Sequence, residues 1–485
     1  MSDILQLQPT VVWNYFNDIC QIPHPSGEEA ALRDYVLAFA AQHGLEAETD
    51  NIGNVVIRKP ATAGMEDRAG VILQGHLDMV PQKNEGTDHD FSKDPIQTWI
   101  DGEWVKARGT TLGADNGMGV AASLAVLAST ELKHGPLEAL FTIDEERSMV
   151  GAVALQPNWL KGDILLNLDT EDEGELYVGC AGGVDVVAAG HYQQEAAAEG
   201  SQWFQLSVKG LKGGHSGCDI HLQRGNANKV LVNLLKALQC VGVRISRLRG
   251  GSLPNAIPRE AFAIVAVPAD KAEELARIAD QQLAMARSLL AETDAGVILT
   301  VEATEAAAQV MTAIDQQRWL DAFHAVPNGV DRMSESVEGV VETSNNFAIV
   351  TLENGEVGVK CFARSLIDSC TAEMGDRIAG LLRLTGAEVT LKGQFPGWKP
   401  NRDSAILAAL QGTYNDLFGK IPAIKVIHAG LECGILGSTY PNWDMISVGP
   451  TIRFPHSPDE KVHVESVGKF WTLLTEALAR VPVKA

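Results

Sequence analysis

Short apolar segments that end in a histidine or an acid recur along this chain, and they limit its fold more than any other feature. The run VILQG at 71–75 leads into His76, and Asp78 follows two positions later. A short apolar run is typical of a buried strand, whose side chains alternate between its two faces. His76 and Asp78 are therefore expected on one face, where the carboxylate could hold one ring nitrogen while the other binds a metal. The alternative is a hydrogen-bonded histidine at a strand end.

Two further apolar runs, at 137–143 and 163–168, also lead directly into acids. Adjacent carboxylates repel one another unless cations neutralise them or solvent covers them. A solvated acidic loop is therefore the alternative to a cation site. The acids that follow these two runs are Asp144, Glu145, Glu146 and Asp169.

Asp115 lies in the glycine-rich stretch GADNG at 113–117, which opens an Ala-rich helix that ends near residue 129. The glycines resemble a phosphate-binding loop, but no Gly-Lys-Ser/Thr follows them. An aspartate at a helix start is also a common cap. Taken alone, the stretch favours the cap.

The alternation of strands and helices predicts an α/β fold with a mixed, mainly parallel sheet flanked by helices. Ligands of such sheets bind at the carboxyl ends of the strands, so the acids at these ends can meet. From about residue 184 the strands and helices are more closely spaced, which indicates an inserted α+β domain. It contains two successive sets of elements, one to about 304 and one from about 312, and this predicts a duplication. The expected domains are one catalytic domain in two parts, 1–183 and 399–485, and an inserted domain, 184–398.

Length and charge exclude several classes of protein. A chain of 485 residues with 45% hydrophobic residues is too long for one ordinary domain. A net charge of −23 argues against nucleic acid or an anionic membrane as partner, because both require clustered Lys and Arg. Seven scattered cysteines without a Cys-x-x-Cys pair favour a reducing compartment. With no signal peptide and no apolar run long enough to cross a bilayer, a cytoplasmic protein is expected.

His456 lies between two prolines near the end of the chain, where a simple loop histidine is the alternative. It brings the count to two histidines and four or five acids. Two adjacent divalent cations need such a set: a histidine and a carboxylate each, and one shared carboxylate. The residues alone therefore favour a di-metal hydrolase.

Together these motifs resemble the di-zinc metallopeptidase superfamily of aminoacylases and carboxypeptidases, and within it the family of Xaa-His dipeptidases. The resemblance covers essentially the whole chain, including NAIPREAF at 255–262 and HAGLECG at 428–434. The motifs that carry it are HLD at 76–78, GADNG at 113–117, DEE at 144–146, NLD at 167–169, GGHSG at 213–217 and PH at 455–456.

The resemblance implies two divalent cations per chain, Zn²⁺ in the first place, with Co²⁺ or Mn²⁺ as alternatives. His76 and Asp169 would bind one cation. His456 and Glu146 would bind the other, and Asp115 would bridge the two.

It also implies the groups that act on the substrate. Glu145 would be the general base, and Asp78 would orient a metal-binding histidine. His215 would stabilise the oxyanion with the help of Asn255, and Arg364 would bind the terminal carboxylate of the substrate. Without the resemblance, the last three are a loop histidine, a turn asparagine and an arginine at a strand end.

The implied activity is hydrolysis of unblocked dipeptides, with a preference for Xaa-His, by a cytoplasmic enzyme. Small peptides are the expected partners, the oligomeric state is left open with a homodimer as one alternative, and the inserted domain would be a lid. An N-acyl-amino-acid deacylase and a non-enzymatic metal-binding scaffold are the rivals, and the presence of Glu145 counts against the scaffold.

Two places depart from the family pattern: Cys218 stands where glycine is expected, and Arg147 and Ser148 stand where small residues are expected. Neither departure replaces a proposed ligand. They leave the loop geometry and the fine specificity open.

Overall fold

A computed structural model describes residues 3–335, 337–401 and 403–484. The described chain divides into two compact units. The first lies within Met1–Gly179, Pro400–Val426 and Leu431–Ala485, and the second within Cys180–Lys399 and Ile427–Gly430.

The short segment Ile427–Gly430 belongs to the second unit, whereas the sequence places it in a catalytic domain at 399–485. The backbone N–H of Ala181 explains the difference, because it donates to the carbonyls of both Ile427 and Ala429. A backbone contact over this sequence distance leaves no mark in the residue pattern.

The bounds of the elements are as follows. The helices are α1 Thr10–Cys20, α2 Ala30–Gln42, α3 Ala114–Ala128, α4 Glu145–Ser148, α5 Val150–Ala154, α6 Ala227–Leu238, α7 Ala272–Leu289, α8 Ala313–Ala325, α9 Asp368–Arg383, α10 Ala405–Phe418, α11 Glu432–Thr439 and α12 Val464–Ala479. The strands are β1 Glu46–Thr49, β2 Val55–Lys59, β3 Val71–His76, β4 Thr98–Asp101, β5 Trp104–Ala107, β6 Leu137–Thr142, β7 Ile164–Asn167, β8 Glu175–Cys180, β9 Gly182–His191, β10 Gln194–Glu195, β11 Gln202–Lys209, β12 Arg244–Gly250, β13 Ala261–Val267, β14 Ile298–Ala303, β15 Val310–Met311, β16 Gly329–Met333, β17 Val341–Glu353, β18 Glu356–Ser365, β19 Glu388–Phe395, β20 Ala423–Ile427, β21 Asp444–Ser447, β22 Ile452–Arg453 and β23 Lys461–His463. Within the described ranges, none of the helices combines the length and the apolar character needed to cross a membrane.

The main sheet of the first unit is mixed and has the strand order β1-β2-β6-β3-β7-β21-β8-β20. Its four central strands, β6, β3, β7 and β21, run parallel. On either side of them, β2 and β8 pair antiparallel. Every residue of β3 and β6 is buried, as expected for strands covered on both faces. The predicted mixed sheet is confirmed, and its parallel part is the centre, where the acids follow the strands.

Helix α3 packs closely in the core of the first unit because its residues are small. At Gly117 an added Cβ would lie 3.1 Å from the ring of Phe16 on α1. The helix is buried from Asn116 to Leu127, so its first turn is held firmly in place.

Apart from the short antiparallel pair β10-β15, the described part of the second unit contains one antiparallel sheet with the order β14-β11-β13-β12-β17-β18-β9-β19, and β16 pairs with β17. It consists of two halves of the same design, β-α-β-β-α-β. The first half is β11-α6-β12-β13-α7-β14, and the second is β9-α8-β17-β18-α9-β19. Within each half the strands have the same spatial order, and the two halves join through the second strand of each, β12 and β17. The duplication is therefore present in the structure.

The expected division of the two sets near residues 304 and 312 is wrong in one respect. Strand β9 precedes the first half in the chain, yet it pairs with β18 and β19 of the second half. In the chain, the first half thus follows the first strand of the second half and precedes its remaining elements. Sequence pattern identifies a strand but not a partner that lies far along the chain.

Candidate metal centre

His76 stands at the end of β3 and is 1% exposed. Its Nδ1 lies 2.9 Å from the carbonyl oxygen of Asp78, which can only accept, so Nδ1 carries the proton in the neutral ring. The lone pair of Nε2 then faces two carboxylates, 3.2 Å from Asp115 Oδ1 and 3.3 Å from Asp169 Oδ1. A lone pair against carboxylates is stable only with a cation between them or with a second proton on the ring.

Asp115 lies between two histidines. Its Oδ2 is 3.2 Å from His456 Nε2, while its Oδ1 faces His76. It does not cap α3, because the N-cap position is Gly113 and the cap makes no side-chain hydrogen bond. The cap favoured by the local sequence is therefore wrong, and the carboxylate lies between the rings of His76 and His456.

His456 completes a second group of ligand atoms. Its Nε2 lies 2.9 Å from Glu146 Oε2, and its backbone adopts a left-handed φ of 58°. Such a φ is uncommon for a residue with a side chain. The loop therefore holds the ring in a conformation that the surrounding structure must impose.

Asp78 organises the turn that carries the two glutamates. Its Oδ1 accepts the backbone N–H of Glu145 at 2.9 Å, and its Oδ2 accepts that of Glu146 at 3.2 Å. Burial opposes ionisation of Asp78, but hydrogen bonds and the charge of His76 prevail and lower its pKa to about 2. One carboxylate thus positions both the histidine at the end of β3 and the turn after β6.

The acids of this cluster are reluctant to ionise together. Burial raises the pKa of Glu145 well above its usual range, and the charges of Asp169 and Glu146 add to the effect against that of His76. Burial also raises the pKa of Asp169 to about 8. These raised pKa values show that the neighbouring side chains provide too little positive charge to keep all of these acids ionised.

The residues fit two divalent cations. Glu146 Oε1 and Asp169 Oδ1 are buried and have no hydrogen-bond partner among the described residues. Ligand atoms of His76, Asp115 and Asp169 all lie within 4.8 Å of one another, as do those of Asp115, Glu146 and His456. Imidazole nitrogen with carboxylate oxygen suits Zn²⁺, Co²⁺ or Mn²⁺. Unpartnered oxygens in such a donor set are what a metal site requires.

Glu460 is a buried residue that inspection of the sequence overlooked. Its two oxygens accept four consecutive backbone N–H groups at distances from 2.7 to 3.3 Å. One of these belongs to Asp115, so Glu460 holds the loop that carries this carboxylate between the two histidines. The only sequence signal was its place four residues after His456. The four donors are Leu112, Gly113, Ala114 and Asp115.

The structure explains the departure at 147–148. Arg147 Nε donates to Asp144 Oδ1 and Ser148 Oγ donates to Asp144 Oδ2, both at 2.6 Å. Asp144 has a left-handed φ of 52° and is 6% exposed. The two residues therefore stabilise the strained start of the turn that carries Glu145 and Glu146.

In the second unit, His215 and Asn255 lie together, because Ser216 donates its N–H to the carbonyl of Asn255. The ring Nδ1 of His215 accepts the N–H groups of Gly217 and Cys218 at 3.2 and 3.0 Å. Its proton must then be on Nε2. Burial and the charge of Arg364 lower the pKa of His215 to about 4, so the ring is neutral at pH 7 and offers one N–H donor. Cys218, which stands where the family pattern has glycine, thus helps to orient the His215 ring through its backbone N–H.

Arg364 is 4% exposed on β18, and its Nε has no partner among the described residues. Burial lowers its pKa to about 10. Its guanidinium stacks 4.3 Å from the ring centre of Phe362. An added Cβ at Gly217 would lie 3.2 Å from Arg364 Nε, so the loop after His215 reaches the guanidinium. A buried cation with an unused donor is suited to bind an anion.

Comparison with known proteins places this geometry in a family. The model of peptidase family M20/M25/M40 matches residues 72–480. A cytosol non-specific dipeptidase of Escherichia coli is 50% identical over 485 residues, which is the full length of both chains. Aminoacylhistidine dipeptidase from Vibrio alginolyticus has a crystal structure with a TM-score of 0.95 and 51% identity, covering 100% of this chain and 99% of that one. Aminopeptidase PepT from Bacillus cereus shares the fold, with a TM-score of 0.58 at 16% identity over 98% of this chain and 99% of that one.

These likenesses extend over the whole chain, including both units. The expected superfamily, the mixed sheet flanked by helices and the function of a metallopeptidase with dipeptidase activity are thereby confirmed. The chain belongs to peptidase family M20/M25/M40.

Proposed function

We propose that this chain is a cytoplasmic dipeptidase that hydrolyses unblocked dipeptides, preferentially Xaa-His, with two divalent cations. One observation carries the proposal: the Nε2 lone pair of His76 faces two carboxylates, one of which has an unpartnered buried oxygen. Only a cation stabilises such a set without protonating it.

In this proposal His76 and Asp169 hold one cation, His456 and Glu146 hold the other, and Asp115 lies between them. The resident metal is Zn²⁺, and the same donors would accept Co²⁺ or Mn²⁺. When bound, the cations polarise the scissile carbonyl and make water acidic enough to attack near neutral pH.

Glu145 takes the proton from the attacking water and returns it to the leaving amine. Its raised pKa supports this role, because a carboxyl group with a raised pKa takes up a proton more readily than an ordinary one. Asp78 acts as a positioning residue, because it holds the backbone of Glu145 and the ring of His76.

Groups of the second unit complete the chemistry. The Nε2–H of His215 donates to the developing oxyanion, and Asn255 assists it. Arg364 binds the free carboxylate of the dipeptide as a planar fork. We further propose that the second unit acts as a lid.

The duplicated sheet suggests that His215 serves its own chain, even in a homodimer. Equal mixtures of inactive His215→Ala and inactive His76→Ala chains should therefore recover no activity. Recovery in the mixed dimer would show that the histidine acts on the partner and would refute this part of the proposal.

The names of the two full-length relatives differ in the breadth of substrates that they state, non-specific in one and aminoacylhistidine in the other. We propose a preference for a C-terminal histidine within a wider acceptance of dipeptides. Comparison of kcat/KM for Ala-His with that for Ala-Ala and Ala-Leu measures the preference, and equal values would remove it.

The decisive experiment combines metal analysis with a substrate panel. Anomalous scattering above and below the zinc edge should locate two zinc ions at the five proposed ligands. Free dipeptides should be cleaved and N-acetyl amino acids should not, and chelation should abolish activity. Cleavage of N-acetyl amino acids in preference to dipeptides would favour a deacylase instead.

A further inference from the structure

A layer of hydrogen-bonded polar side chains lies within the core of the first unit, on its central strands and on α11. We propose that Glu432, at one end of this layer, is a positioning residue for the metal ligands, an inference that rests on the proposed function. The polar layer consists of Gln74, Thr142, Asn167, Glu432 and Ser447, each at most 1% exposed.

The hydrogen bonds of the polar layer all run in one direction. Ser447 Oγ donates to Asn167 Oδ1, and Asn167 Nδ2 donates to Gln74 Oε1 at 2.6 Å. Gln74 Nε2 then donates to Glu432 Oε2 at 2.6 Å, and Thr142 Oγ1 donates to the same oxygen at 2.8 Å. Glu432 thus accepts hydrogen bonds from β3 and β6 directly. Through Gln74 it is also linked to β7 and β21.

The polar layer lies one step before the proposed ligands along the same strands. Gln74 and Asn167 are neighbours in register on β3 and β7. His76 comes two residues after Gln74 on the same face of β3, and Asp169 comes two residues after Asn167, just beyond the end of β7. Thr142, at the end of β6, is the register partner of His76. A shift in the polar layer would therefore move the strand ends that carry these ligands.

Stability alone gives no reason for a carboxyl group at this place. Central parallel strands are usually filled with Val, Ile and Leu, and a buried charge is often replaced by apolar residues without loss of stability. Glu432 Oε1 has no partner among the described residues, which makes the group still less favourable in the core. Hydrogen bonds behind metal ligands do fix ligand orientation, so a polar layer at this place has a use in metal binding.

Glu432 is not a catalytic residue in this view, because it is 0% exposed and no substrate atom can reach it. Its effect passes through Gln74 and Thr142. The hydrogen bonds, rather than the negative charge, are what position the ligands, and this distinction can be tested.

The test compares Glu432→Gln with Glu432→Ala in the full-length protein. The amide of glutamine keeps an oxygen that can accept from both Gln74 and Thr142, whereas alanine keeps none. Titration of the metal-free proteins with Zn²⁺ should show affinity weakened by about 10- to 100-fold in Glu432→Ala and close to that of the wild type in Glu432→Gln. With zinc in excess, kcat should follow the same order while KM for dipeptides is unchanged.

Asn228→Ala serves as the control for simple destabilisation. Asn228 is 1% exposed and donates to two backbone carbonyls in the second unit, far along the chain from the ligands. This variant should unfold at a lower temperature and keep its zinc affinity. A loss of zinc affinity in Asn228→Ala would assign the effect to stability and overturn the inference.

Two further outcomes would also overturn it. If Glu432→Ala binds zinc as the wild type does, the polar layer does not position the ligands. If Glu432→Gln loses as much affinity as Glu432→Ala, the charge acts and not the hydrogen bonds. In both cases the wild type still binds zinc, so the proposed function stands. A wild type that binds no zinc would refute both.

Discussion

In the first unit, the titratable groups around the strand ends are mainly acids, whereas the second unit holds close together a buried guanidinium, the buried imidazole of His428 and the half-buried imidazole of His215. Burial raises the pKa of Asp169 to about 8. In the second unit it lowers the pKa of His215 to about 4 and that of His428 to about 3, in both cases together with the charge of Arg364. Each shift favours the neutral form of its group.

The comparison shows what each cluster lacks. Cations would stabilise the ionised acids of the first unit, and an anion would stabilise the buried guanidinium of Arg364 in the second unit. Both charges are available to a peptidase that binds metal ions at the acids and the free carboxylate of its substrate at the guanidinium. The following four predictions test this reading, beginning with the largest expected effect.

Glu145→Gln should lower kcat by about 100- to 10,000-fold, because the proton acceptor is lost while the shape remains. Zinc content should stay at the level of the wild type, measured by elemental analysis of the purified variant. Glu131→Gln, an exposed acid of the same unit, is the matched control and should be fully active. Near-normal turnover of Glu145→Gln would show that Glu145 is not the general base.

The metal-free chain should become less stable as the pH rises from about 4 to about 8. The usual pKa of Asp169 is 3.8 and its folded pKa is about 8. Between these pH values the folded chain holds a proton that the unfolded chain has released, so the free energy of unfolding falls as the pH rises. Thermal unfolding at pH 5 and pH 8 should differ by about 5 °C or more, and zinc should remove the difference. A metal-free chain that is more stable at pH 8 would contradict the need for cations.

Arg364→Ala should raise KM for free dipeptides by about 10- to 150-fold, since a hydrogen bond to a charged group contributes about 1.5–3 kcal/mol. Amidated dipeptides lack the carboxylate and should be affected much less. Arg247→Ala, which breaks an exposed ion pair with Glu353 in the same unit, should leave KM unchanged. Equal losses for free and amidated substrates would show that the basic cluster does not bind the carboxylate.

Lys229→Met should destabilise the protein by about 1–3 kcal/mol and leave zinc affinity unchanged. This partly buried cation, unlike Arg364, is satisfied internally, because its Nζ donates to the carbonyls of Phe323, His324 and Val326 at the end of α8. Urea unfolding gives the measurement. Lys236→Met removes an ion pair that is partly exposed and should change stability by less than about 1 kcal/mol. Equal losses in the two variants would mean that burial does not distinguish the two lysines.

The sequence predicted that these side chains would lie close together, because they stand at regular places. Each of His76, Asp169 and the glutamates at 145–146 follows an apolar strand, and the carboxyl ends of neighbouring parallel strands converge. Local rules were less successful at Asp115, where they favoured a helix cap. The position of Asp115 between His76 and His456 depends on two histidines that come from distant parts of the chain.

Other features could not be predicted because their causes are not local. Glu460 acts through backbone N–H groups, and the first of these, on Leu112, is 348 positions away. Glu432 lies in a stretch that matched a family motif, yet only the fold shows that Gln74 and Thr142 donate to it. Neither partner follows from periodicity or composition.

The insertion of one half behind the first strand of the other has a consequence for biosynthesis. Strand β9 leaves the ribosome early, but its partner strand β18 follows much later. Glu356, which pairs with His191 of β9, is made roughly 165 residues after it. At a synthesis rate of about 5–20 residues per second, β9 waits for about 10–30 s without its partner strand. During that time the side chains of Val184 and Val186, which are buried in the finished protein, are exposed beside unpaired backbone groups. The nascent chain is therefore most vulnerable to aggregation, and most dependent on chaperones, while the first half is being made.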